Sequence, residues 1–283
     1  MFNVKEKNIL ITGATSGIGH SAALSLSLMG ANIIFIARDK QKAEKLSDEI
    51  KKISGKDSTF IIADLSSQKE IIKATDIFKK MNISLDILLN NAGLINLKRK
   101  ETTDGFEETF AVNHLAYFTL TNLLLDKIKD SPSSRIVNVS SGAHFAVKRM
   151  NFDDIQSINS YKPFKVYGYS KLANILFTKK LSDILKNDDV TVNCLHPGVV
   201  ATGFASQNNS KLQKFIFGLA KPFMRTSESG AKTSVYLCSS TDVSNISGEY
   251  FYNSKISKIS NGANNSQDAD RLWDISLQLT GLI

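Results

Sequence analysis

The chain has 283 residues, 42% of them hydrophobic and 22% charged, the composition of an ordinary globular protein with ample material for a core. Its 35 Lys and Arg against 27 Asp and Glu give a net charge of +8, but the basic residues are scattered and the longest adjacent cluster is Lys98-Arg99-Lys100, which reads as a solvated surface and not a nucleic-acid binder. No apolar run reaches the ~18 residues of a membrane span, no signal peptide is visible, and Cys194, Cys238 and four dispersed histidines lack metal-ligand spacing, so the expectation is a soluble, reduced, cytoplasmic protein without a metal site.

The first predicted element is a strand, Asn8-Ile9-Leu10-Ile11-Thr12, and the turn Gly13-Ala14-Thr15-Ser16-Gly17-Ile18-Gly19 follows it at once. A helical pattern through Ala22, Ala23, Leu24, Leu26 and Leu28 then runs to a stop at Gly30. Strand, glycine-rich turn and helix in that order make a phosphate cradle. The glycines let the backbone approach closely, and the helix N-terminus turns its free N–H groups and positive dipole end toward a pyrophosphate. The spacing is G-x-x-x-G-x-G, which differs from the common G-x-G-x-x-G dinucleotide fingerprint.

The second strand, Ala31-Asn32-Ile33-Ile34-Phe35-Ile36-Ala37, ends at Arg38-Asp39-Lys40. An acid at the end of this strand would bond a ribose 2′-OH, whereas an arginine suits a 2′-phosphate. Ala37 stands where the acid would be and Arg38 comes next, which favours NADP(H) and leaves NAD(H) open; Asp39 is placed to cap the following helix. A polar helix over 41–53 leads to strand Thr59-Phe60-Ile61-Ile62-Ala63, which puts Asp64 and Leu65 at a strand's C-terminal end, where ligands bind in open α/β sheets.

Another helix, about 68–81, precedes strand Leu85-Asp86-Ile87-Leu88-Leu89 and then Asn90-Asn91-Ala92-Gly93, whose small and amide residues let an adenosine approach the backbone. One long helical segment, about 105–129, carries Asn113. Strand Arg135-Ile136-Val137-Asn138-Val139 then ends at the pair Ser140-Ser141. On the next helix Tyr167 and Lys171 stand four residues apart, so they share one face, and a lysine ammonium beside a phenol is expected to lower the tyrosine pKa toward working pH. That makes Tyr167 a candidate general acid/base. Tyr169 has no lysine four residues on, and Ser140 is a neighbour of Ser141 whose side chain should point the other way along a strand.

After the Tyr167 helix comes strand Val190-Thr191-Val192-Asn193-Cys194-Leu195, which breaks at His196-Pro197-Gly198. The stretch 211–224 is apolar with interleaved lysines and fits a core helix, a lid over substrate (203–225) or a membrane-surface helix making peripheral contact. Alternating strands and helices without an internal boundary predict a single α/β domain over 1–283, a Rossmann-type doubly wound parallel sheet of about seven strands with helices on both faces. The cofactor half is about 1–140 and the catalytic and substrate-binding half about 141–283.

Taken together, Thr12-Gly13-x-x-x-Gly17-Ile18-Gly19, Asn90-Asn91-Ala92-Gly93, Asn113, Ser140-Ser141, Tyr167-x-x-x-Lys171 and Pro197-Gly198 resemble the short-chain dehydrogenase/reductase family across nearly the whole chain. Val112-Asn113-His114-Leu115-Ala116-Tyr117-Phe118, Arg271-Leu272-Trp273-Asp274 and the 26-residue step from Ser141 to Tyr167 are similar to its retinol dehydrogenase and WW-domain oxidoreductase-like branch. The chain shows neither the N-terminal hydrophobic segment of that branch's membrane-anchored members nor a WW domain, and Ser16 stands where some NADP-binders carry a basic residue.

The resemblance implies hydride exchange between NADP(H) and a small apolar carbonyl or alcohol. Tyr167 would be the acid/base, Lys171 would depress its pKa and bond the nicotinamide ribose, Ser141 would hold the substrate oxygen, and Asn113 would hold a relay water. It also implies that Thr15, Ser16, Ile18, Val200 and Thr202 line the cofactor site, and that a homodimer could pair through the helices carrying Asn113 and Tyr167. A cofactor-sensing protein without turnover would share the fold, but it has no need of the complete Asn113, Ser141, Tyr167 and Lys171 set.

Overall fold

A computed structural model describes residues 3–200 and 225–282. Eight strands form one sheet in the order β3-β2-β1-β4-β5-β6-β7-β8. They are β1 (Asn8–Thr12), β2 (Asn32–Ala37), β3 (Thr59–Ile62), β4 (Ile87–Asn90), β5 (Ser134–Val139), β6 (Val190–His196), β7 (Tyr250–Tyr252) and β8 (Lys255–Ile256). All neighbours run parallel except β7 and β8. β8 exceeds the expected strand number. It is a two-residue return across Asn253 and Ser254, both at positive φ (52° and 59°), the backbone of a tight hairpin.

The strands read as apolar runs because helices cover both faces, and the period of two sorts their residues between two cores. Ile9, Ile11, Ile33, Phe35, Ile87, Leu89 and Val137 pack against α1 (Gly17–Leu28), α2 (Lys40–Ser54) and the helix Ser227–Ser239. Leu10, Ile34, Ile36, Leu88, Ile136 and Val192 face the other way, onto Ile71 and Phe78 of α3 (Gln68–Lys80) and onto Phe118 and Phe177.

The segment expected as one helix over 105–129 is broken. α4 (Glu108–Phe110) begins on the buried Glu107 carboxylate, which accepts from the Thr109 and Phe110 amides at 2.9 and 2.7 Å. A π turn, Ala111–Leu115, follows, then α5 (Ala116–Leu123) and α6 (Leu125–Lys129). The widened turn falls on Asn113, whose amide is held at both ends by Leu94: Oδ1 accepts from Leu94 N at 2.8 Å and Nδ2 donates to Leu94 O at 2.9 Å.

α7 (Pro163–Ile184) starts with proline in its first turn and carries Tyr167 and Lys171. α8 is Ser227–Ser239, and α9 (Ser266–Thr280) lies along α7. Trp273 of α9 sits edge-on to Phe118 at 4.9 Å and stacks on Phe177 at 6.0 Å, so the helices bearing Asn113 and Tyr167 are covered by the chain's own C-terminal helix. Among the described residues no helix is long and apolar enough to cross a membrane.

Candidate active site

The strand order reverses between β1 and β4, and a cavity of about 490 Å³ opens at the carboxyl ends of these strands. Thr12 closes its floor: Oγ1 accepts from the Asn91 and Ala92 amides at 2.9 and 3.0 Å, while Asn91 Nδ2 donates to the Thr12 and Gly13 carbonyls. The turn from β1 into α1 needs its glycines. Gly13 sits at φ +66°, and a Cβ on Gly19 would lie 2.3 Å from Gly13 O and 2.4 Å from Asn91 Nδ2. The first turn of α1 carries no acid and no side-chain cap, so its N–H groups and positive dipole end face the cavity.

Gly13, Thr15, Ser16, Gly17, Ile18, Gly19, Arg38, Asp64, Leu65, Asn91, Ala92 and Gly93 all line this one cavity. A cradle this tight, with an open helix N-terminus and room beyond it, fits a dinucleotide. Val200 is not among the residues that line this cavity, but a Cβ on Gly230 would strike both Val200 (2.6 Å) and the lining residue Ile18 (3.2 Å), so these two apolar side chains flank the same glycine. Thr202 and the segment 203–224 lie outside the described residues.

Asp39 lines the cavity too; it is the N-cap of α2, accepting from Lys42 N at 3.1 Å, and its other oxygen lies 3.6 Å from Lys42 Nζ. Lys42 also lines the cavity, beside Arg38. Sequence reasoning missed it, although four residues from Arg38 on a helix start was a readable signal. Ser66, Leu94, Glu108 and Val112 also line the cavity and were missed; they reach it from loops and from the broken helix, whose course the sequence does not show.

Gly93 links the cradle to the reacting groups. A Cβ there would lie 3.3 Å from Asn113 Oδ1 and 3.4 Å from Lys171 Nζ. Lys171 is buried, donates from Nζ to Val139 O at 2.9 Å, and stands 5.7 Å from the Tyr167 ring centroid. Ser140 Oγ donates to Lys171 O at 2.7 Å and so faces away from the cavity, which separates it from Ser141. Ser141 caps a 3-10 turn, Gly142–Ala146, its Oγ accepting from Ala143 N at 3.2 Å, and its hydroxyl reaches the Tyr167 phenol. Asn113 Nδ2 gives both its protons, to Leu94 O and to Ser170 Oγ (3.0 Å), and Oδ1 accepts from Leu94 N, so the side chain is anchored to the loop after β4 and to α7.

The pKa expectation for Tyr167 does not hold. Burial pushes the phenol up to about 12, with the Ser141 hydrogen bond opposing it. Lys171 is itself pushed down to about 7 by burial, and its ammonium is turned to the Val139 carbonyl. Desolvation outweighs charge attraction here, and the phenol is held as a proton donor.

Ser141 and Tyr167 meet because Gly168 lets the two segments touch: a Cβ on Gly168 would lie 2.9 Å from Ala143 O. Gly168→Ala should therefore lever the Ser141 turn off α7, lowering kcat about tenfold or more while the melting temperature falls only a few degrees. Unchanged kcat in a folded variant would show that this contact does not set the geometry.

The family model described as short chain dehydrogenase matches residues 7–213. Retinol dehydrogenase 12 of Mus musculus is 39% identical over 281 residues, covering 99% of this chain and 88% of the relative. Retinol dehydrogenase 14 of Homo sapiens is 39% identical, covering 98% and 87%. The crystal structure of an uncharacterized protein from Mycobacterium Paratuberculosis superposes with a TM-score of 0.79 at 28% identity, covering 99% of this chain and 96% of that one.

Proposed function

The chain belongs to the short chain dehydrogenase family and is an oxidoreductase of alcohol and carbonyl groups, and from that premise we propose an NADP(H)-dependent enzyme that interconverts an apolar aldehyde or ketone, retinal-like in character, with its alcohol. The observation that carries the proposal is the meeting of Tyr167 with Ser141 and Lys171, which do not line the glycine-rich cavity themselves but adjoin it where Lys171 Nζ comes up behind Gly93. A protein that only sensed a dinucleotide would need the cavity but not the phenol.

When bound, the nicotinamide supplies or accepts the hydride. The chain's residues do the rest. The Ser141 hydroxyl donates to the substrate oxygen and fixes it near Tyr167. Tyr167, protonated through the neutral range, gives its proton to that oxygen as the carbonyl becomes an alcohol, and takes one back in the reverse direction. Lys171 Nζ, beside Gly93, would bond the nicotinamide ribose, and it becomes cationic below about pH 7. A homodimer through α5 and α7 would have to accommodate α9, whose Trp273 already lies on Phe118 and Phe177.

The preference for NADP(H) is supported by Arg38 on the cavity wall; Asp39 lines the same wall but caps its helix and pairs with Lys42 Nζ at 3.6 Å, so among the described lining residues Arg38 is the cation left for a 2′-phosphate. The test is turnover of apolar aldehydes and ketones, retinal among them, with NADPH and with NADH. NADPH should be preferred, and Arg38→Ser should lower kcat/KM for NADPH by about 10- to 100-fold with little change for NADH. A preference for NADH in the native protein would overturn the cofactor assignment and leave the oxidoreductase class standing.

A further inference from the structure

Ser141 is held from behind by an imidazole that no step above uses. His144, fully buried in the 3-10 turn Gly142–Ala146, has Nδ1 2.7 Å from Ser141 O and Nε2 3.2 Å from Ser260 N. A carbonyl can only accept and a backbone amide can only donate, so the two contacts together assign the proton to Nδ1 and a lone pair to Nε2. We infer that His144 is a positioning residue, a neutral imidazole of fixed tautomer that locks the Ser141 peptide to the C-terminal segment and so aims the Ser141 hydroxyl. The inference rests on the oxidoreductase reading of the same site.

The geometry gives the lock its effect. Ser141 Oγ accepts from Ala143 N while its hydroxyl proton is directed at the Tyr167 phenol, the side on which a substrate oxygen would receive it. The Ala143 amide that holds Oγ belongs to the turn that follows Ser141, and the His144 Nδ1–H fixes that turn at the Ser141 carbonyl. On the far side, Ser260 is itself anchored. It leads into the 3-10 turn Asn261–Asn264, where a Cβ on Gly262 would lie 2.3 Å from Lys148 O. Arg149 then closes the stretch with two hydrogen bonds to the buried Asp268 of α9, one of them from Nε to Oδ2 at 3.0 Å. The segment that follows Ser141 is thus clamped at His144, Lys148 and Arg149 by residues more than 100 positions later.

The surroundings keep the ring neutral. Tyr250 of β7 stands edge-on to it at 5.0 Å, and Phe145 covers it at 4.0 Å. His196 faces it from the end of β6 and is itself engaged, Nδ1 accepting from Gly198 N at 3.3 Å and the ring stacking on Tyr252. Arg225 adds a positive charge on the His196 side. Burial lowers the pKa of both imidazoles. Protonating His144 would set an N–H against the Ser260 N–H and break the lock.

Three measurements test it. In the native protein with 15N-labelled histidine, long-range 1H–15N correlation should show His144 as the Nδ1–H tautomer from pH 6 to 8; an Nε2–H tautomer overturns the inference without any variant. Among variants, His144→Phe keeps the ring volume but loses both bonds, and kcat should fall about tenfold to a hundredfold with the NADPH Kd unchanged. His144→Asn, which can still donate to Ser141 O, should recover kcat to within about threefold of native. In a Ser141→Ala background, His144→Phe should cost little more, because both act on one hydroxyl. Native kcat in His144→Phe, or losses that multiply in the double variant, overturns the positioning role. If His144→Phe does not fold, the tautomer and His144→Asn decide. Native protein that turns over no carbonyl would instead defeat the oxidoreductase reading, and the tautomer would still be read.

Discussion

Tyr167→Phe should leave NADPH binding within about twofold of native and reduce turnover by about three orders of magnitude, a loss of ~4 kcal/mol of transition-state stabilisation. Phenylalanine keeps the ring that packs beside Lys171 and Gly168, so the variant loses the O–H and little else. No second phenol is placed to replace it. The Tyr117 hydroxyl is given to Ala92 O at 2.7 Å, and Tyr169 packs into the cluster formed with Leu172, Leu176 and Leu272. The native pH profile carries the same signature. A phenol near 12 is protonated through the neutral range, so carbonyl reduction should stay level there and decline only at strongly alkaline pH. Alcohol oxidation needs the deprotonated form and should climb as pH rises. The phenylalanine variant's residual activity should show neither trend. Steady-state kinetics in both directions with a separate cofactor titration checks all of this, and near-native turnover in the variant would remove Tyr167 from the chemistry.

Much of this site was legible because its parts are local. The Gly13–Gly19 turn declares itself by standing between an apolar run and an amphipathic pattern, and Tyr167 and Lys171 share a face by helical spacing alone. What the sequence hid depends on distant partners. Ala111–Leu115 is composed of residues that suit an ordinary helix; it widens into a π turn where Asn113 is bonded to Leu94, a contact 19 residues back in the chain. The β7–β8 hairpin turns on Asn253 and Ser254 at positive φ, and serine gives little warning of that backbone. The Tyr167 pKa was misjudged in sign for a related reason. Spacing reports that a lysine is near, but not that desolvation acts on both groups, nor that Lys171 Nζ donates to Val139 O. The role inferred for His144 also depends on Ser260, 116 residues away.

Gly19→Ala should be the more destructive change to the cofactor half, weakening NADPH binding by about 100-fold or more. The added methyl would meet Gly13 O at 2.3 Å and Asn91 Nδ2 at 2.4 Å, and neither can yield without cost. The first is backbone at the tightest point of the turn. The second is the amide that joins β4 to β1 through the Thr12 and Gly13 carbonyls. Displacing either opens the turn that brings the α1 N-terminus to the cavity, so the binding loss should exceed the stability loss. Overpacking of this kind costs about 1–3 kcal/mol, which for a chain of this length lowers the melting temperature by roughly 2–4 °C per kcal/mol. Gly55→Ala is the matched control. Its glycine caps α2 at φ +72° with nothing within 4 Å of the added methyl, so it strains the backbone far from the cavity and should lower stability by about 1 kcal/mol without touching the cofactor. Calorimetric titration of NADPH into both variants separates the two effects. Native affinity in Gly19→Ala would mean that the dinucleotide does not lie against this turn, and the cavity would then need a different occupant.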